Sequence, residues 1–340
     1  MSFELGSRLG DKQVFSEILG QKAVKLGLSS ALLVNRNIVV VGPPGVGKTT
    51  LARGVAGLLP DDTVNDCNYH CDPKKPFCPE CLSKKAKTKK ILGSERFVRV
   101  QGSPDLTAED LIGDIDPVKA LKFGPLSMQA FTPGKIFKAN KGVLFFDELN
   151  RCPEKLQNAL LQVLEEKKAT IGSYDVDIEA DFIFIATMNP EDTSTEKLSD
   201  VLMDRFDVLY MSYPETLKIE KQIVEENSKK VDVTFPESLG NLVIDFVRRL
   251  RESDKLQKLP SVRASIGLYE RAMANAYLRK SKIVSFADVE SAVNSVLSHR
   301  IMLKPSVKYL KDPSDFVKEE FKDFASSSSS AKDNEASDVP

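Results

Sequence analysis

The segment Gly42–Thr49, with the sequence GPPGVGKT, constrains the fold of this chain more than any other feature. It follows the apolar run IVVV and precedes the helical pattern TLARGVAGLL. A glycine-rich loop between a buried strand and a helix, closed by Lys-Thr, is typical of a phosphate-binding P-loop. Its backbone N–H groups and helix N-terminus attract phosphate, Lys48 reaches the β- and γ-phosphates, and Thr49 can ligate Mg²⁺. The sequence therefore predicts a nucleotide site built from Gly42, Pro43, Pro44, Gly45, Val46, Gly47, Lys48, Thr49 and Thr50.

A second apolar run, Val143–Phe146, ends in the acidic pair Asp147-Glu148. Ligands of open α/β sheets bind at the carboxyl ends of the strands, which is where this pair would lie. We expect Asp147 to hold Mg²⁺ through water and Glu148 to polarise the attacking water for in-line phosphoryl transfer. An isolated acidic pair after a strand is more often a helix N-cap, but the neighbouring P-loop favours the hydrolytic role.

The fold class follows from short apolar runs that alternate with helical patterns. They predict a P-loop NTPase αβα sandwich with a mostly parallel five-stranded sheet over 1–215. After Tyr213-Pro214 long helical patterns replace the β-branched runs, which predicts a helical domain over 216–310. The tail, 311–340, contains a serine run of low hydrophobicity, and we expect disorder from about residue 325. The five runs are Ile38–Val41, Phe97–Val100, Val143–Phe146, Phe182–Ile185 and Val208–Met211.

Cysteines are concentrated in a segment, 61–92, that has little apolar periodicity and reads as an insertion. Cys67-x3-Cys71-x6-Cys78-x2-Cys81 predicts a structural zinc site with a closed four-thiolate shell. His70 competes with Cys71 as a ligand, an iron–sulfur cluster is a poorer second choice, and reduced free thiols are the remaining alternative. The fifth cysteine, Cys152, is expected to be a small core residue.

Charge gives no global argument for a nucleic-acid partner, because 48 Lys+Arg nearly balance 49 Asp+Glu in the 340 residues. A local basic patch follows the cysteines and is more often a solvated face than a binding site, since no aromatics are interleaved with it. No apolar run reaches the length of a bilayer span and the N-terminus lacks a signal-peptide core, so a cytoplasmic protein is expected. The patch consists of Lys84, Lys85, Lys87, Lys89 and Lys90.

Taken together, these motifs make the chain resemble the AAA+ ATPases, and within them the magnesium-chelatase motor subunit and MoxR group. The resemblance covers roughly residues 13 to 305. It is carried by FSEILGQKAVKLGL, the P-loop, FTPGKIFKANKGVLFFDELNR, ATMNPED, LMDRFD and SVRAS. It implies ATP as the nucleotide, a helical lid after the first domain, and a homo-oligomeric, hexameric ring with ATP at the subunit interfaces.

The same resemblance implies roles for single residues. Asn189 in ATMNP looks like the sensor that orients the attacking water, and Arg205 in MDRFD is similar to an arginine finger. Arg263 in SVRAS looks like the lid arginine that reports the γ-phosphate, while Ile18 and Gly20 would lie against the adenine. Which arginine acts in cis and which in trans stays open.

Lys48 and Asp147 lie 99 positions apart, more than one strand with two connections needs, so two insertions are expected between them. One is the cysteine segment, and the other, 114–131, resembles the helix-2 insertion of the chelatase and MoxR group. A hairpin across Gly172-Ser173 resembles one that such rings point inward. Both are candidates for substrate contact.

These features predict a Mg²⁺-dependent, ATP-hydrolysing ring motor. It would either drive metal insertion as the motor of a magnesium or cobalt chelatase, or remodel a partner protein as MoxR-like proteins do. A separate von Willebrand A-type or chelatase protein is the expected partner, since no such domain is found in this chain. The alternative is a nucleic-acid-stimulated motor that uses the zinc insertion to contact DNA or RNA. A scaffold that binds nucleotide without hydrolysing it would not need Glu148.

Overall fold

The computed structural model describes residues 2–9, 14–83, 86–171, 176–190 and 198–335. The chain divides into two compact units. The first extends to Met211 apart from Pro43–Val46, and the second contains Pro43–Val46 and the chain from Ser212 onward. The sequence predicted the boundary four residues later, at 215.

The first unit is built around a five-stranded sheet in which every neighbouring pair is parallel, with the order β11-β1-β10-β7-β4. The predicted αβα sandwich with a parallel five-stranded sheet is confirmed. Its strands, together with those of three antiparallel hairpins, are β1 (Asn37–Val41), β2 (Asp62–Asn65), β3 (Thr88–Ile91), β4 (Phe97–Gln101), β5 (Gly113–Ile115), β6 (Phe131–Pro133), β7 (Val143–Asp147), β8 (Lys168–Ile171), β9 (Val176–Glu179), β10 (Ile183–Met188) and β11 (Phe206–Tyr210).

Helices cover both faces of the sheet, and its central strands are therefore buried on both sides. Ile38, Val39 and Val40 of β1 expose no surface, which is the pattern of a parallel strand between two helical layers. The helices of this unit are α1 (Ser2–Leu9), α2 (Lys22–Leu33), α3 (Lys48–Leu58), α4 (Pro79–Ser83), α5 (Ala108–Ile112), α6 (Pro117–Phe123), α7 (Lys135–Lys138), α8 (Glu154–Glu166) and α9 (Asp200–Met203).

The hairpins mark the segments that the sequence predicted as insertions. Strands β2 and β3 pair across the cysteine segment, and β5 and β6 bracket α6 in the second insertion. Strands β8 and β9 pair at the third predicted site. Its Gly172-Ser173 tip, like Lys84 and Lys85 of the basic patch, lies outside the described residues.

The second unit is mainly helical. The amphipathic helix Glu237–Glu252 places Val243, Phe246, Val247 and Leu250 at helical spacing in the core, where each is at most 2% exposed. Its elements are α10 (Leu217–Asn227), α11 (Glu237–Glu252), β12 (Leu256–Lys258), α12 (Val262–Leu278), α13 (Phe286–Leu297), β13 (Met302–Leu303), α14 (Pro305–Lys308) and α15 (Pro313–Glu335).

The tail forms the last helix of the chain. Helix α15 continues to Glu335 and so includes 325–335, for which the sequence predicted disorder. Buried Phe321 and Phe324 anchor the helix, and Ser326 and Ser327 donate to the carbonyls three residues earlier, at 2.9 and 2.8 Å. These bonds satisfy the hydroxyls without breaking the helix. Residues 336–340 lie outside the described part of the chain.

Within the described residues, we find no helix that combines the length and the apolar character required to cross a membrane.

Candidate nucleotide site and cysteine cluster

The P-loop follows β1 directly, and its backbone leaves no room for larger residues at two glycines. A Cβ on Gly42 would lie 2.4 Å from the carbonyl oxygen of Met211. Gly47 has a φ of 98°, a conformation that L side chains rarely adopt. Lys48 begins α3, and its Nζ donates to the carbonyl of Gly42. The loop thus has the tight turn into a helix N-terminus that binds phosphate.

The acidic pair ends β7 at the same edge of the sheet. Both oxygens of Asp147 accept hydrogen bonds: Oδ1 from the hydroxyl of Thr187 and Oδ2 from Arg99, each at 2.6 Å. Glu148 has a left-handed φ of 57°, and its N–H donates to the same Thr187 hydroxyl at 2.9 Å. Each oxygen of Asp147 keeps a lone pair for Mg²⁺ or its waters.

Residues that carry no sequence motif contact this pair. Gln101 donates to Oε2 of Glu148 at 2.9 Å, and Arg151 lies 3.3 Å from the same oxygen. Gln101 pairs with Asp147 in the parallel register of β4 and β7. The sequence contained a signal for Gln101, because it is the polar residue that ends an apolar run. The end of a neighbouring parallel strand lies beside the acidic pair.

Asn189 directly follows β10, the strand between β1 and β7. Met188 pairs with Val41 in register, and its carbonyl accepts from the N–H of Gly42 at 3.2 Å. The structure therefore brings the P-loop, the acidic pair and Asn189 to the carboxyl ends of three adjacent strands.

The two residues predicted to lie against the adenine, Ile18 and Gly20, lie in the irregular segment from the turn at 15–18 to α2. Cδ1 of Ile18 would lie 3.3 Å from a Cβ on Gly47, so this side chain packs on the P-loop. Gly20 has a φ of 70°, which its lack of a side chain permits. Ile18 is thus adjacent to the phosphate-binding loop, as its predicted role requires.

Arg205 is not brought to this group. It directly precedes β11, and β11 runs parallel to β1, so Arg205 lies at the amino-terminal edge of the sheet, opposite the P-loop. Its guanidinium donates to Glu165 on α8 and to the carbonyl of Val201, the latter at 2.7 Å. Within this chain, Arg205 therefore lies away from the P-loop and from the acidic pair.

Arg263 lies in the first turn of α12 in the second unit and is exposed. Pro43–Val46 belongs to this unit as well. A Cβ on Gly45 would lie 3.2 Å from Cγ of Arg263 and 3.3 Å from the hydroxyl of Ser261. Arg263, predicted to be the lid arginine, is therefore next to Gly45 of the P-loop.

The four clustered cysteines converge. Their Sγ atoms all lie within 4.8 Å of one another and all four residues are buried. Among the described residues this is the group of side chains close enough to share one ion, and His70 is not in it. The N–H of Cys71 points to Sγ of Cys67 at 3.4 Å, and that of Cys81 to Sγ of Cys78 at 3.5 Å.

The pKa values of the clustered thiols are shifted, mostly upward. Burial raises the pKa of the Cys71 and Cys78 thiols to about 12 and that of Cys81 to about 11, whereas for Cys67 burial is outweighed by backbone hydrogen bonds from Cys71 and Tyr69, which lower the pKa. A raised pKa favours the neutral thiol, so binding of a metal ion requires these groups to lose their protons. Cysteines 67, 71, 78 and 81 belong to the apolar core of the first unit, as Cys152 does, so the expectation for Cys152 is confirmed.

The described part of the basic patch is partly neutralised. Lys89 lies 2.9 Å from Asp66, and Lys90 lies 3.1 Å from Asp61. Exposed ion pairs of this kind contribute little stability, but they reduce the positive field offered to a polyanion.

Three family models match the sequence. The ATPase family associated with various cellular activities (AAA) matches residues 81–208, the magnesium chelatase ChlI subunit family matches 14–71, and the AAA lid domain matches 254–320.

Similar proteins extend over most of the chain. A magnesium-chelatase subunit ChlI homolog of Methanocaldococcus jannaschii is 28% identical over 324 residues, covering 86% of each chain. The magnesium-chelatase subunit ChlI of a Nostoc species is 29% identical over 304 residues, covering 84% of this chain and 75% of its own. Among solved structures, a RuvB variant of Thermotoga maritima has a TM-score of 0.50 at 20% identity and covers 86% of this chain and 74% of its own. That likeness shows the fold.

Proposed function

Because this chain belongs to the AAA+ ATPases of the magnesium-chelatase ChlI type, we propose that it hydrolyses ATP as the motor of a homo-oligomeric ring and drives a change in a partner protein. The observation that carries the proposal is the meeting of the P-loop, Asp147-Glu148 and Asn189 at the carboxyl ends of β1, β7 and β10. A scaffold for nucleotide binding alone would not require Glu148 at that point.

The roles of the residues follow from where they lie. The P-loop N–H groups and Lys48 hold the phosphates, and Thr49 and Asp147 hold Mg²⁺, whose preferred ligands are oxygens. When bound, Mg²⁺ neutralises charge on the phosphate oxygens. Glu148 accepts the proton of the attacking water, and the Asn189 amide orients that water.

The two arginines act on the charge that develops in the transition state. Arg205 lies at the sheet edge opposite its own P-loop, so it serves the ATP of the neighbouring subunit. Arg263 lies beside Gly45 at the tip of the P-loop of its own chain, so it serves the γ-phosphate in cis. This division is our proposal for the cis and trans roles, which the sequence left open.

A separate protein supplies the site on which the motor acts. The similar proteins named magnesium-chelatase subunits favour a chelatase or von Willebrand A-type partner, with metal insertion or protein remodelling as the output. The insertion 114–131 and the β8–β9 hairpin are the segments that would contact it.

The ATPase rate with Mg²⁺, measured over a range of protein concentrations, tests the ring. We expect specific activity to rise with concentration, because each site is completed by a neighbour, and to be unchanged by single-stranded DNA or RNA. Lys48→Ala, which removes the phosphate-binding amine, is the inactive control. Specific activity independent of concentration would reject the ring, and stimulation by nucleic acid would favour the alternative motor.

We propose that the cysteine cluster binds one structural zinc ion. The four sulfurs lie within 4.8 Å of one another. Four thiolates bound to one zinc ion at about 2.3 Å in a tetrahedron are about 3.8 Å apart, so small side-chain movements bring all four to a single ion. Zinc would fasten the 61–92 insertion to the core, because Tyr69 beside the cluster packs on Phe77 and on Phe137, with ring centroids 5.8 and 5.7 Å apart.

Replacing one ligand tests the zinc site. Cys78→Ser is expected to lower bound zinc from about one per chain to below about 0.2, because three thiolates bind the ion more weakly, and to lower Tm. Elemental analysis and thermal unfolding measure both effects. Cys152→Ala is the matched control, since Cys152 is an equally buried cysteine outside the cluster. Zinc retained in Cys78→Ser, or stoichiometric iron and sulfide in the wild type, would contradict the assignment.

A further inference from the structure

A buried carboxylate organises a polar cluster in the second unit. Glu220 exposes none of its side chain, and Arg251 donates to both of its oxygens at 2.8 Å. The hydroxyl of Ser265 donates to the same carboxylate at 2.7 Å, and Arg248 lies 3.5 Å from it. Buried ion pairs are often no more stabilising than apolar side chains of the same volume. Stability alone therefore does not account for this cluster.

Both arginines use further donors on backbone carbonyls. Nε of Arg251 donates to the carbonyl of Pro260 at 2.8 Å. Arg248 donates to the carbonyls of Pro214 at 2.8 Å and Glu215 at 3.2 Å. One carboxylate thus fixes two segments: the start of the second unit and the turn that leads into α12.

The turn that Arg251 holds leads directly to Arg263. Pro260 precedes Ser261, the N-cap of α12, and Arg263 lies in the first turn of that helix. Ser265, one turn into α12, is bound to Glu220, so the helix start is held by a carbonyl before it and by a hydroxyl within it. Because Arg263 itself is exposed, its position depends on the helix that carries it.

We propose that Glu220 and Arg251 form a buried brace that positions Arg263 for ATP hydrolysis. This inference rests on the proposed function. Glu220 and Arg251 are positioning residues, since they act on Arg263 through α12. Loss of the bidentate contact lets the first turn of α12 shift, and a displacement of about 1 Å at a catalytic group can reduce a rate about 100-fold.

A double-mutant cycle tests the brace on the full-length protein. Arg251→Lys keeps the charge but loses the planar fork, and we expect kcat to fall roughly 10-fold or more while KM for ATP changes by less than about threefold. In the Arg263→Ala background the same change is expected to lower kcat by less than about twofold, because there is no Arg263 left to position. Tm is expected to fall equally in both backgrounds.

Two further variants serve as a control and as a replacement for Arg251→Lys. Arg279→Lys alters another ion pair of this unit, 2.7 Å from Asp288, and should leave kcat unchanged. Ser265→Ala removes only the hydroxyl and serves if Arg251→Lys does not fold, with a smaller but equally non-additive fall in kcat. Two results overturn the brace. One is a double mutant whose loss of kcat equals the product of the losses in the two single mutants, and the other is an unchanged kcat in both Arg251→Lys and Ser265→Ala. A wild-type protein without ATPase activity rejects the proposed function and the brace with it.

Discussion

Glu148→Gln is expected to bind ATP with near wild-type affinity and to hydrolyse it at least about 100-fold more slowly, because an amide cannot accept the proton of the attacking water. The substitution should leave the local structure unchanged. The N–H of Glu148, which donates to Thr187, is part of the backbone, and an amide oxygen can still accept from Gln101 and from Arg151, whose exposed ion pair with Glu148 is weakened. The loss therefore reports on proton transfer rather than on folding.

Single-turnover hydrolysis and equilibrium binding of ATP separate the two effects. Glu166→Gln is the matched control, since Glu166 is an exposed carboxylate at the far end of α8 and should retain full activity. Turnover retained in Glu148→Gln would reject Glu148 as the base. Loss of ATP binding in the same variant would assign it a structural role instead.

The sequence was most informative where local chemistry decides the structure. The apolar runs predicted all five strands of the sheet, because a strand buried on both faces is almost continuously apolar, as in β1 and β7. The P-loop and the acidic pair were recognisable because each combines residue types whose chemistry is specific and whose position follows a strand.

The sequence was least informative where partners come from distant strands. Arg99 and Gln101 carry no motif, and only the parallel register of β4 and β7 places them beside Asp147 and Glu148. The pairing of Glu220 with Arg251, 31 positions apart, likewise depends on how two helices pack. Long-range polar contacts of this kind cannot be read from periodicity, because their spacing in sequence is arbitrary.

Two segments contain buried side chains that their average composition does not reveal. The cysteine segment has little periodicity, yet Tyr69 and the four cysteines join the core of the first unit. The serine run has low hydrophobicity, yet α15 continues through it because Phe321 and Phe324 anchor the preceding turns. In both cases a few buried side chains anchor a segment whose average composition is polar.

Arg205→Ala is expected to lower the ATPase rate roughly 1,000-fold, since an arginine finger stabilises the charge that develops on the transferred phosphoryl group. Binding of ATP should be nearly unchanged, because Arg205 lies at the sheet edge opposite the P-loop of its own subunit. Arg36→Ala is the matched control. Arg36, like Arg205, is paired with one carboxylate, Asp207 at 2.9 Å, and its loss should leave the rate unchanged.

Mixing two inactive variants distinguishes action in trans from action in cis. A subunit with Arg205→Ala keeps Glu148, and a neighbour with Glu148→Gln keeps Arg205, so an interface with this order has both groups. With random assembly of equal amounts, about one quarter of the interfaces have that order, and about one quarter of wild-type activity should return. A finger that acts in cis gives no recovery at any mixing ratio, because every subunit then lacks one of the two groups. Recovery would therefore establish that the site is shared between subunits, which is the property that makes the ring a requirement for hydrolysis.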